Sequence, residues 1–95
     1  TVLTGVLGDK DYAHMYGQLA TQAARFVTVT PHSPRALPAA DLSMMLSNLG
    51  RPVTTCDTIA HGVDTALSLT QPDGAVLCCG SLYLLGDVLD ELDCR

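Results

Sequence analysis

The sequence predicts an α/β fold: a three-layer sandwich in which a mostly parallel sheet of about four strands carries helices on both faces. Three observations support this. Four short β-branched or apolar runs are spread along the 95 residues, each is followed by apolar residues at three-to-four spacing, and Gly, Pro and Asp punctuate the changes between them. Strict strand-helix alternation in so short a chain calls for crossovers between parallel strands, with the helices covering the sheet.

The first run is Thr1 to Leu7, and Tyr12, Met15, Leu19 and Ala23 form a helical stripe after it. Arg25 to Thr30 is the second strand; Leu42, Met45, Leu46 and Leu49 mark the second helix, which Gly50 and Pro52 close. Val53 to Cys56 is the third strand, followed by Ile59, Val63 and Leu67 on a helix for which Asp57 is the candidate cap. Pro72, Asp73 and Gly74 turn the chain into a fourth strand, Ala75 to Cys79, and Leu82, Leu85, Leu89 and Leu92 line a last helix. There is no internal repeat, low-complexity segment or linker, so residues 1–95 read as one domain.

Composition narrows the function classes. Apolar residues make up 47% of the chain and charged ones 16%, which argues against disorder, and no apolar run reaches the roughly 18 residues of a membrane span. A formal charge of -5, with only five Lys and Arg, leaves no electrostatic footprint for nucleic acid or an anionic membrane. No signal-peptide pattern opens the chain, and the expected location is cytoplasmic. The four cysteines, Cys56, Cys78, Cys79 and Cys94, form no CxxC pair. Cys78 and Cys79 are adjacent in a strand and point to opposite faces, so they cannot share a metal or an ordinary disulfide; reduced thiols acting as small hydrophobes are expected.

In an open parallel sheet, ligands bind beyond the carboxyl ends of the strands. Four stretches fall there: "GDKDY", "PHSPRALP", "CDTIAHG" and "CGSLY". Asp9 can accept bonds from sugar hydroxyls, Lys10 and Arg35 can offset phosphate or carboxylate charge, and Ser81 adds a hydroxyl at a helix N-terminus. Each has a plainer reading. Asp9, Lys10 and Asp11 at a helix start can serve as cap and dipole compensation, Ser81 can be an ordinary cap, and Arg35 can pair with a neighbouring acid to hold its proline-rich segment. His32 is exposed by context and is a further ligand candidate, whereas His14 and His61 fall within helical stripes. The convergence of polar groups on one edge is better evidence than any member.

The order "GVLGDKDY", "SPRALP" and "VLCCGSLYL", at these separations, resembles the Rossmann-like C-terminal domain of bifunctional folylpolyglutamate synthase and dihydrofolate synthase, in the Mur ligase superfamily. The resemblance covers nearly the whole chain. It implies an ATP-dependent ligase that adds L-glutamate to the γ-carboxyl of a folate through an acyl phosphate, using ATP and Mg2+ with an N-terminal ATPase domain of the same chain. It further implies that Asp9 contacts the ATP ribose, that Lys10 lies near phosphates or substrate carboxylates, and that Ser81 faces glutamate, with Arg35 and His32 as substrate-side candidates. No GxxxxGK[ST] loop occurs here, so this chain alone is expected neither to bind ATP tightly nor to turn it over. The family's domain begins one β-α unit earlier, with an Asp-Gly-Ala-His-Asn-Pro segment, and this sequence starts after it. No residue is a convincing general base or metal ligand. Two alternatives stay open: another Mur-type amino-acid ligase, and a non-enzymatic flavodoxin-like binding module. A receiver domain is disfavoured, because its aspartate pair and distant lysine at successive strand ends are not matched here.

Overall fold

This computed structural model describes residues 1–7, 13–70, 74–80 and 82–93, and of residues 13–15, 82 and 83 only the backbone. Four strands and four helices alternate along it: β1 (Val2–Gly5), α1 (Ala13–Leu19), β2 (Phe26–Thr28), α2 (Ala39–Ser47), β3 (Val53–Thr55), α3 (Ile59–Leu69), β4 (Leu77–Gly80) and α4 (Leu82–Asp93). All strand pairs are parallel, and the order across the sheet is β3-β2-β1-β4. The predicted architecture is the observed one, with strands shorter than their apolar runs.

The strand sequences explain the layering. β1 and β2 are central and buried throughout, as expected for β-branched and apolar runs covered on both faces. Val2 and Phe26 turn to one face, Leu3 and Val27 to the other, and two separate cores result. One holds Leu3, Val27, Val29 and Cys56 against Ile59, Val63 and Ala66 of α3 and Leu84 and Val88 of α4. The other holds Val2, Val6 and Phe26 against Tyr16 of α1 and Leu42 and Leu46 of α2. Each wholly enclosed leucine there contributes roughly 1.5–3 kcal/mol by leaving water. Cys78 and Cys79 do point to opposite faces, each packing against a different core, and Cys56, Cys78 and Cys79 are free thiols.

Helix starts use two devices. Thr58, not Asp57, is the N-cap of α3: its Oγ1 accepts the His61 backbone N–H at 3.0 Å. Asp57 stands one residue too early to reach the free N–H groups of the first turn. Pro38 precedes α2 without a side-chain cap, and Thr30, two residues past β2, fills that role, its Oγ1 accepting the Ala39 N–H at 2.9 Å. At the far end of α2, Gly50 takes φ +84°, the left-handed conformation that lets the chain reverse into β3.

Candidate functional site at the carboxyl ends of β1 and β4

The strand order sets the place. From β1 the chain moves outward through β2 to β3, then crosses back over the sheet so that β4 lies on the opposite side of β1. Connections leaving β1 and β4 therefore diverge to opposite faces, and the crevice between them is where open α/β sheets take ligands. α1, the helix after β1, packs in the Tyr16 core; α4, the helix after β4, packs in the Val88 core.

At this edge the backbones nearly touch. Gly5 and Gly80 are register partners at the ends of β1 and β4. Gly80 has φ +129°, and a Cβ built there would lie 2.1 Å from the Gly5 carbonyl oxygen. A Cβ on Gly5 would lie 2.5 Å from the Val29 carbonyl oxygen and 3.0 Å from the Pro31 ring. Both positions require glycine, one for conformation and space and the other for space alone. Beyond Gly5 the chain stays ordered by the segment after β2: the Leu37 N–H donates to the Val6 carbonyl at 2.9 Å, and Leu7 forms an isolated antiparallel bridge with Ala36.

One residue before the glycines, a single row crosses the sheet. Cys79, Thr4, Thr28 and Thr55 are successive register partners on β4, β1, β2 and β3, all directed to the α1/α2 face. Thr4 is fully buried; its hydroxyl donates to the Cys79 carbonyl at 2.9 Å and also meets the hydroxyl of fully buried Tyr16. Thr4 has one proton to give, so Tyr16 is the donor in their bond. The Tyr16 ring stands edge-on to Phe26, centroids 6.2 Å apart. Thr28 bonds Ser43 of α2 at 2.7 Å, and Ser43 bonds Thr55 at 2.5 Å. The Cys79 thiol is held above its ordinary pKa by burial, partly offset by its contact with Thr4, and Cys78 is raised by burial and by its Cys79 neighbour. Both are protonated at neutral pH.

Of the residues singled out from sequence, Asp9, Lys10, Asp11 and Ser81 lie outside the described residues, as does Cys94. Their described neighbours, Leu7 and Gly80, leave the same sheet edge from adjacent strands. Arg35 is exposed on the segment after β2, where its backbone N–H donates to Ser33 Oγ at 3.3 Å. His32 faces away from that segment toward α4: its backbone N–H donates to Asp87 at 2.9 Å and its Nδ1 lies 3.3 Å from the same carboxylate. It stands over an open cleft of about 350 Å³ between α3 and α4, lined also by Asp87, Asp90 and Glu91. An acidic cleft is electrostatically unsuited to a phosphate or carboxylate, which separates His32 from Arg35 chemically. Sequence reasoning missed Thr4, Tyr16, Gly5 and Gly80. The signal was there in "VLTG", "FVTV", "VTTC" and "LCCG", which align with a small polar residue or cysteine at the third position of each strand.

The fold is shared with known proteins. A curated folylpolyglutamate synthase from Lacticaseibacillus casei is 34% identical over 93 residues, 97% of this chain and 20% of the relative. Among solved structures, Escherichia coli FolC in complex with DHPP and ADP aligns over 99% of this chain and 22% of its own, with TM-score 0.86 and 27% identity. The Mycobacterium tuberculosis folylpolyglutamate synthase complexed with ADP aligns over 99% of this chain and 23% of its own, with TM-score 0.80 and 25% identity. The chain thus spans about a fifth of the length of these relatives. Residues 1–82 match the family described as Mur ligase, glutamate ligase domain, and this chain belongs to that family.

Proposed function

We propose that this chain is the C-terminal domain of a folylpolyglutamate synthase: it closes over ATP held by an N-terminal ATPase domain and helps to position L-glutamate for addition to a folate. The observation that supports this most is the near-complete alignment with a curated folylpolyglutamate synthase and with solved relatives that hold ADP. Under this reading the folate γ-carboxylate takes the γ-phosphoryl group of ATP and ADP leaves. The glutamate amine then attacks the acyl carbon; the C–N bond forms, the C–O bond to phosphate breaks, and the amine gives up a proton. The domain's own contribution is orientation and exclusion of water, which protect an acyl phosphate from hydrolysis.

Asp9 and Lys10 are assigned to the nucleotide, Ser81 and Arg35 to substrate carboxylates. His32, paired with Asp87 over an acidic cleft, is assigned no substrate carboxylate. Mg2+ enters this reading with the ATP phosphates. No helix among the described residues is long and apolar enough to cross a membrane, and the reading carries a cytoplasmic location.

The test is glutamate incorporation by the full-length protein with MgATP and a reduced folate. ADP and phosphate release matched to amide formation is expected. Asp9→Ala should raise KM for ATP more than KM for glutamate, by the equivalent of roughly 1.5–3 kcal/mol for a charge-assisted bond. Ser81→Ala should raise KM for glutamate and leave ATP alone. Ligation of an amino acid to a non-folate acceptor, with folates inert, would move the protein to another Mur-type ligase.

A further inference from the structure

The buried hydroxyl pair of Thr4 and Tyr16 joins three segments at one point. Thr4 lies on β1, just ahead of the stretch that carries Asp9 and Lys10. Tyr16 lies on α1, just after it. The Thr4 hydroxyl proton goes to the Cys79 carbonyl, two residues before Ser81. Both partners are fully buried, so neither touches a ligand and neither has water to replace a lost bond. The bond also couples two contacts that cannot move independently: Gly5 and Gly80, one residue further along each strand, are in backbone contact already.

We propose that Thr4 and Tyr16 are positioning residues for nucleotide binding: their hydroxyls lock α1 and β4 onto β1 and so fix the β1–β4 edge that the proposed function assigns to the nucleotide. This rests on the assignment of that edge to ATP. It adds that affinity for the nucleotide depends on two side chains that never meet it. The Thr28–Ser43–Thr55 chain is the built-in control, because it ties α2 to β2 and β3 with the same chemistry on the other side of the same row.

The experiment measures MgADP binding by calorimetry and melting temperature on the same preparations of full-length protein, with ligation kinetics alongside. Tyr16→Phe removes one hydroxyl and should weaken ADP binding roughly three- to tenfold, the worth of one buried hydrogen bond, while kcat at saturating ATP changes little. Thr4→Val keeps the shape and loses the hydroxyl, and should behave alike. Thr4→Ser keeps the hydroxyl and loses a methyl, so it should lower the melting temperature yet bind ADP as the wild type does. Thr28→Val should also lower the melting temperature and leave ADP affinity unchanged. ADP binding that tracks melting temperature across all four variants, or wild-type affinity in Tyr16→Phe and Thr4→Val, would overturn the proposal. Failure of ligation with folates, with ADP affinities as expected, would instead overturn the folate assignment and leave the positioning role standing.

Discussion

The two halves of the row that crosses the sheet are both tied by side-chain hydroxyls and differ in what encloses them. On the β4–β1 side, Thr4 is sealed under Tyr16 and beside two strands whose backbones leave no room for a Cβ. On the β2–β3 side, Thr28 is buried, yet its chain of hydroxyls runs through Ser43 to Thr55 at an exposed edge. Equal chemistry therefore has unequal consequences. A bond lost in the sealed half lies out of reach of water, whereas near Thr55 water takes its place.

Adding an atom should separate the halves most sharply. Gly80→Ala forces a Cβ into the Gly5 carbonyl at a φ that L residues avoid, and should cost about 3 kcal/mol or more. Thr55→Ala, one row earlier on the opposite edge strand, should cost less than about 1 kcal/mol. Chemical denaturation of both variants checks the difference, and similar losses would remove the contrast. Taking a hydroxyl away comes next: Tyr16→Phe should lose about 1–2 kcal/mol, and Ser43→Ala about half of that.

Much of this was legible in the sequence. Periodicity located all eight elements, but not every core face or boundary: Leu85, Leu89 and Leu92 of α4 and Leu67 of α3 are exposed while Leu84 and Val88 fill the core, and α1 ends at Leu19, short of Ala23. Adjacent Cys78 and Cys79 had to face opposite sides because side chains alternate along a strand. The cap of α3 was misplaced by one residue, because Asp57 and Thr58 are both good caps and only the backbone decides which one flanks the first turn. The polar row was not legible: Thr4 and Tyr16 are 12 residues apart and Thr4 and Cys79 are 75 apart, and only strand register brings them together. His32 illustrates the opposite limit. Its exposure was foreseen, but Asp87, 55 residues away, gives it a partner that no local pattern reveals.

The smallest expected effect sharpens the comparison through pH. Both thiols of β4 have raised pKa values, chiefly from burial. Below the thiol pKa of the unfolded chain, both states hold these protons and the thiols do not affect stability. As pH rises past it the unfolded chain releases protons that the folded one retains, so stability falls. Unfolding free energy measured across the alkaline range should therefore decline less steeply in the Cys78→Ala, Cys79→Ala double variant than in the wild type. Parallel slopes would show that these thiols titrate alike in both states.

Under the proposed function the β1–β4 edge, and not the β2–β3 edge, receives the nucleotide. Hydrogen-deuterium exchange of the full-length protein with and without MgADP addresses it residue by residue. Slowed exchange is expected in peptides spanning 4–16 and 78–84, with 48–56 unchanged. Slowing confined to 48–56, or no change at either edge under saturating ADP, would contradict it.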